Sequence, residues 1–410
     1  MNQTIRKTVL PNGLTVLSET LNTVRSVAVG VWVKTGSRYE RASQNGIAHF
    51  IEHLVFKGTQ KRTSLQIARS LEDLGGNLNA YTSKELTNFY AVALDEHLST
   101  CISVLGDLVC HPLFRAKDIE KEKQVVLEEI NAVKDTPEEY IFDLFQEKLF
   151  PGHPLGRPIL GKEKTLLALQ REDILNFWQK FYTPNNMVVA AAGNLEHEKL
   201  LHLIEKYFTF ENTGQPVAVK KPKPAHGIRW DVKEAFNQTH ILAGIDSVHY
   251  TSPERYALIA LNAYLGGGMS SRLFQAIRER HGLAYTVYSA VDFFRDTGIF
   301  SIYLGTDTQY SKKATDLLLK ELERVSENPI RDSEMKRIKA QLKGGLLLGL
   351  ENTSHRMTRL AKNEIYFGRH IPVSETIRNL EALNSQYLLA LAQKLFNLGK
   401  FNIIQMSPDA

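Results

Sequence analysis

The apolar residues of this chain fall into runs whose periods assign elements directly. Lys7-Thr8-Val9-Leu10 and Leu14-Thr15-Val16-Leu17 flank the turn sequence Pro11-Asn12-Gly13, so residues 5–18 predict a β-hairpin. The β-branched run Ser26-Val27-Ala28-Val29-Gly30-Val31-Trp32-Val33 predicts a long strand. Ile47, Phe50, Ile51, Leu54 and Val55 recur at helical spacing, which predicts a helix over 47–56 with Gly58 placed to end it. A second helix runs from Ser64, read as its N-cap, through Leu65, Ile67, Leu71 and Leu74 to Gly75-Gly76. Residues 78–82 and 87–94 read as two strands joined by a polar turn at Lys84-Glu85. Helices follow over 96–110, 118–134, 140–149, 164–182 and 194–207, with one more buried strand at 187–192.

Beyond Phe210 the period disappears. Three prolines and three lysines between Pro216 and Pro224 mark a linker over 211–227, dividing a first domain (1–210) from a second (228–410). Two domains of about 200 residues also suit a chain too long for one core. The second half repeats the order of the first. Helices at 258–265 and 271–280, strands at 283–291 and 297–304, and a helix at 311–325 parallel the run from 47 to 108. His111-Pro112-Leu113 before one helix is echoed by Asn328-Pro329-Ile330 before another. The predicted fold class is therefore α+β: two similar domains related by an internal repeat, each a mostly antiparallel sheet covered by helices.

Composition narrows the function classes. The net charge of +5 is small for 410 residues and no basic stripe interleaves with aromatics, so no nucleic-acid partner is expected. Apolar runs such as 187–192 are too short to span a bilayer, and the first residues carry neither a signal-peptide core nor a transit-peptide pattern. A soluble, cytoplasmic protein without a membrane partner is the expectation. Cys101 and Cys110 fall in one predicted helix, roughly 13.5 Å apart, which reads as two buried thiols rather than a disulfide. Gly266-Gly267-Gly268 lacks the Gly-Lys-Ser/Thr ending of a phosphate loop and reads as a turn or hinge.

The candidate chemistry lies in the 47–56 helix. His49 and His53 are four apart and share one face, with Glu52 beside them. With 13 His and 45 acidic residues in the chain, chance yields about 0.4 such His pairs, and about 0.04 with an acid next to the second. Two imidazoles and one carboxylate, with a fourth position left for water, are the donor set of a catalytic zinc site. Glu52 is placed to take a proton from water without being a ligand itself. For the third ligand, the 118–134 helix offers Glu122 and Glu129 on one stripe about 10.5 Å apart. Spacing alone leaves Glu129 and its neighbour Glu128 as alternatives.

His49-Phe50-Ile51-Glu52-His53 followed by Leu54-Val55-Phe56-Lys57-Gly58-Thr59, then the 79–87 segment and Glu122 to Glu129, resembles the inverzincin peptidases of family M16, in their short, two-domain bacterial form. The resemblance implies one zinc per chain held by His49, His53 and Glu129, with Glu52 as general base and Glu122 orienting the site. It also implies that Arg278 positions substrate backbone and that Tyr285 bonds the scissile carbonyl. Leu78, Asn79, Ala80 and Tyr81 would hold a peptide substrate as an added β-strand. The family's larger members close a chamber with four such domains, so this chain would need a homodimer, with Arg278 and Tyr285 serving the partner's zinc. The expected activity is zinc-dependent endopeptidase action on peptides or short unfolded polypeptides. The competing readings are a catalytically silent scaffold of the same family and a metal hydrolase acting on a smaller substrate.

Overall fold

The computed structural model describes residues 4–210, 213–214, 217–234 and 236–408. The first half supplies strands β1 (Thr4–Val9), β2 (Thr15–Thr20), β3 (Ser26–Val33), β4 (Asn77–Thr82), β5 (Thr87–Leu94) and β6 (Met187–Gly193). Its helices are α1 (Ile47–Val55), α2 (Ser64–Glu72), α3 (Leu98–Cys110), α4 (Ala116–Lys134), α5 (Pro137–Leu149), α6 (Glu163–Ala168), α7 (Arg171–Phe181) and α8 (His197–Tyr207). The second half supplies β7 (Arg229–Glu234), β8 (Thr239–Ser247), β9 (Thr286–Phe293), β10 (Gly298–Thr306) and β11 (Asn402–Pro408). Its helices are α9 (Arg255–Gly266), α10 (Ser311–Glu327), α11 (Asp332–Gly349), α12 (Thr353–Phe367), α13 (Val373–Glu381) and α14 (Ser385–Leu395).

The repeat is visible in the sheets. The first has the order β1-β2-β6-β3-β5-β4 and the second β7-β11-β8-β10-β9. From β2 onward the two orders are the same, and among the described residues the only parallel pair in each is the one next to that end, β2 with β6 and β7 with β11. The edge strand β1 is the single addition. All other pairs are antiparallel.

β3 lies inside its sheet and is covered on both faces, which is why its sequence is continuously apolar rather than alternating. Val27, Val29, Val31 and Val33 join the core under α1 and α3, while Ala28 and Trp32 point the other way, toward Met357, Leu360 and Ala361 of α12. A Cβ on Gly30 would stand 2.7 Å from the Trp32 ring, so the glycine makes room for the indole. The second sheet repeats the device: Ile241 and Ala243 of β8 face one core, and Leu242 packs with Ile141, Leu144 and Phe145 of α5.

Each compact unit thus takes one helix from the other half of the chain. The first comprises the chain up to Asn131, Arg157–Lys220 and Leu348–His370; the second comprises Ala132–Gly156, Lys221–Leu347 and the chain from Ile371 on. These contact-defined units differ from a single cut at the linker, into 1–210 and 228–410, in the placing of residues 132–156 and 348–370. Of the linker segment itself, Glu211, Asn212, Gln215 and Pro216 lie outside the described residues.

Several boundaries differ from the sequence reading for local reasons. α1 ends at Val55 with Phe56 as its C-cap, and Gly58 (φ +140°) instead pairs with Thr63. Thr63, not Ser64, caps α2, in a reciprocal capping box with Gln66. The 164–182 segment is two helices, because Asp173 accepts from the Gln170 N–H and starts α7 afresh. β9 begins at Thr286, three residues later than read, so Tyr285 lies in the preceding loop. Cys101 and Cys110 are free and buried, and burial pushes the thiols up to about 11 and about 12.

Candidate metal centre

α1 buries Ile47, Ala48, Phe50, Ile51, Leu54 and Val55 and leaves His49, Glu52 and His53 on its remaining face. Its start is fixed by Gly46, whose φ of +100° favours glycine, and by a carboxylate from upstream. Glu40 accepts from the backbone N–H groups of Gly46 and Ala48, at 2.8 and 2.9 Å, and from Asn45 Nδ2 at 2.8 Å. These contacts satisfy donors that a first helical turn leaves open, at the positive end of its dipole.

His49, His53 and Glu129 each offer one ligand atom, all within 4.8 Å of one another. Glu129 Oε2 stands 3.7 Å from His49 Nε2 and 3.5 Å from His53 Nε2. Donors around a tetrahedral zinc at 2.0–2.2 Å are separated by about 3.4 Å, so the spacing suits an ion among them better than direct hydrogen bonds. Glu128, the neighbour that spacing could not exclude, is exposed and outside the cluster.

Charge and tautomer agree with that use. Burial, helped by the nearby His53, pushes His49 down to about 3, so its imidazole is neutral and carries the lone pair a cation needs. His53 Nδ1 donates to Glu122 Oε1 at 3.0 Å, because a carboxylate only accepts; in the neutral ring the lone pair is then on Nε2, which faces Glu129. Burial acts to lower His53, but the Glu122 hydrogen bond and the charges of Glu129, Glu122 and Glu52 hold it above its ordinary value. Glu122 is itself buried and also accepts from Lys57 Nζ at 2.8 Å. Burial alone would raise Glu122, yet those two partners keep its carboxyl below the usual range. His49 Nδ1 is buried without a hydrogen-bond partner among the described residues, so nothing fixes that ring as Glu122 fixes His53. The donor set fits zinc.

Glu52 is held differently. Thr82, the last residue of β4, donates its hydroxyl to Glu52 Oε2 at 2.5 Å. Burial raises the Glu52 carboxyl, against the opposing effects of Thr82 and His53. A base shifted upward is a stronger proton acceptor near neutral pH.

Among the described residues β4 pairs with β5 alone and is the edge of its sheet. The Ala80 N–H donates to Asn79 Oδ1, which places that N–H on the open side, and Leu78, Asn79, Ala80 and Tyr81 all lie in this strand. Arg278 and Tyr285 belong to the second unit. Arg278 sits in a π-helical turn, Phe274–Arg280, with its guanidinium 4.7 Å from the Phe274 ring centre and 4.9 Å from that of Tyr285. Tyr285 is 77% exposed.

Thr82, Lys57 and Glu40 were not singled out in the sequence. Lys57 lies four residues after His53, a spacing that could have flagged it, but it falls beyond the end of α1. Thr82 and Glu40 carry no local signal of their contacts.

Comparison with known proteins agrees. Residues 15–163 match the family model described as insulinase, peptidase family M16, and residues 168–342 match the peptidase M16 inactive domain. The uncharacterized zinc protease YmxG of Bacillus subtilis is 38% identical over 96% of this chain and 96% of its own length. The chain belongs to peptidase family M16. An uncharacterized zinc protease of Mycobacterium tuberculosis is 40% identical, over 96% of this chain and 91% of its own. Two solved structures share the M16 fold. A protease from Helicobacter pylori has a TM-score of 0.93 at 22% identity, covering 99% of this chain and all of its own. A Pseudomonas fluorescens protein described as a peptidase M16 inactive domain has a TM-score of 0.92 at 20% identity, covering 99% and 98%. The inactive-domain match falls largely on the second repeat, whose α9 carries no His. Among the described residues no helix is long and apolar enough to cross a membrane.

The contacts of Glu122 lead to a prediction. Glu122→Gln should weaken zinc binding by about 10–100-fold, as loss of a ligand's orienting partner does. Lys57→Ala should weaken it less, since Glu122 keeps His53. Competition with a chelating dye measures both, and an effect of Lys57→Ala exceeding that of Glu122→Gln would contradict the arrangement.

Proposed function

We propose that this chain is a zinc-dependent endopeptidase of peptides or short unfolded polypeptides, working as a cytoplasmic homodimer whose two chains enclose the substrate. The reading is carried by one observation: the three-donor cluster of His49, His53 and Glu129 has an acidic base, Glu52, tied through Thr82 to the end of an open edge strand.

A zinc ion held by these donors supplies the positive charge that polarises a carbonyl and acidifies water. The protein's own groups then do the following. β4 takes an extended peptide as its next strand, with main-chain hydrogen bonds that are indifferent to side-chain identity. Glu52 accepts the proton of the attacking water and returns it to the leaving amine, so that the C–N bond breaks with no net change in the protein's protonation. Glu122 and Lys57 keep the His53 ring oriented. Arg278 and Tyr285, given by one chain to its partner's centre, hold the substrate backbone and the developing oxyanion. The exposure of Tyr285 and its stacking with Arg278 suit that role.

A quenched peptide library separates the readings. Chelator-sensitive cleavage is expected. Metal-loaded protein that cleaves no peptide would support the scaffold or small-substrate alternatives; the intact donor set and base argue against the scaffold alone. The two-chain site has its own test. Mixing Arg278→Ala chains with Glu52→Gln chains should restore roughly a quarter of wild-type activity, because half of randomly paired dimers are mixed and each holds one complete site. Absence of rescue would sink the shared site while leaving the peptidase reading standing.

A further inference from the structure

Within the second unit, a cavity of about 810 Å³ opens between the 270–272 loop, the end of the π-helical turn, the C-terminal part of α10 and the start of α11. Five arginines line it, Arg272, Arg280, Arg324, Arg331 and Arg337, against two carboxylates, Glu321 and Glu334. The carboxylates are already committed. Glu321, 3% exposed, accepts from Arg272 Nε at 2.5 Å and Arg324 Nη1 at 2.6 Å, while Glu334 accepts from Arg337 Nη2 at 2.6 Å. Arg280 and Arg331 make no ion pair among the described residues, so the cavity keeps a surplus of positive charge. A second observation points to an absent acceptor. Among the described residues, Ser271, 2% exposed, lines the cavity with its Oγ unpartnered, and Arg337 Nε is buried without an acceptor.

Like charges gathered in a concave, partly enclosed space repel one another unless an anion joins them. The form of the donors narrows its chemistry. Guanidinium forks approaching from α10, α11 and the π-helical turn, together with a serine hydroxyl, suit a tetrahedral group with three charged oxygens. A planar carboxylate offers two oxygens in one plane and is matched by a single fork. We propose that this cavity is a binding site for a soluble, phosphate-bearing small molecule. The site is separate from the His49–His53–Glu129 cluster and uses residues that the peptidase reading leaves without a role.

Isothermal titration of the zinc-loaded chain at physiological ionic strength tests this, with inorganic phosphate and glycerol phosphate as probes and succinate as a dicarboxylate control of similar charge. Saturable binding of one phosphate probe per chain is expected, with succinate much weaker. Arg280→Ala/Arg331→Ala, both at exposed side chains, should weaken binding about tenfold or more, as loss of hydrogen bonds to a charged group does. Lys312→Ala/Lys313→Ala removes the same charge at the far end of α10 and should leave binding unchanged. Melting temperatures confirm that both variants are folded. Absence of saturation at millimolar phosphate, equal weakening by the two double variants, or succinate binding as tightly as phosphate would each overturn the proposal.

Discussion

Glu52→Gln is expected to lower peptide turnover by about 10²–10⁴-fold, the contribution of a positioned general base, while zinc content and KM stay near wild type. The substitution keeps the size of the side chain and its carbonyl oxygen can still accept from Thr82, so the fold and the β4 edge should be undisturbed. What disappears is the capacity to take a proton from water. Because Glu52 is not among the three clustered donors, the metal should remain. Steady-state kinetics and metal analysis on one preparation give both readouts. Loss of zinc from this variant would move Glu52 into the ligand set and contradict the assignment of roles.

Glu129→Gln should do the reverse and release the metal. Its carboxylate is the only negative ligand of the cluster, standing 3.5 and 3.7 Å from the two imidazole nitrogens. A neutral amide in its place removes the charge attraction as well as a good oxygen donor. The affinity loss should exceed the roughly 10–100-fold expected for an orienting partner such as Glu122. Activity should follow zinc: low in chelator-treated protein and partly restored by excess metal. Glu128→Gln, one residue earlier and exposed, is the matched control and should change neither. Equal effects of the two substitutions would show that charge on α4, rather than ligation, is being measured.

The parts of the site visible in the sequence were those with a short period. His49, Glu52 and His53 lie within one helical turn and a half, so helical geometry alone brings them to one face. Glu129 lies on a different helix, and only the resemblance to M16 singled it out from Glu128. Strands such as β3 and β5 were legible to the residue because burial on both faces writes a continuous β-branched or aromatic run. The exchange of α5 and α12 between halves was not legible. An amphipathic helix announces an apolar face but does not name the sheet that will cover it, and Met357 and Leu360 would read the same on either. The contacts made by Thr82 and Glu40 arise only when separate elements meet, so a single sequence gives them no signature, and the spacing of Lys57 from His53 does not name Glu122 as its partner. The division of the fold into repeats follows the same logic: the order of elements repeats in the sequence, whereas the matching strand orders appear only in the sheets.

These roles converge on one relation between metal and activity. Stepwise chelation of the purified chain, followed by stepwise return of zinc, should give peptide cleavage that rises in proportion to bound zinc and saturates at one ion per chain. Cleavage that persists at zero occupancy, or none at full occupancy, would contradict a zinc peptidase centred on His49, His53 and Glu129.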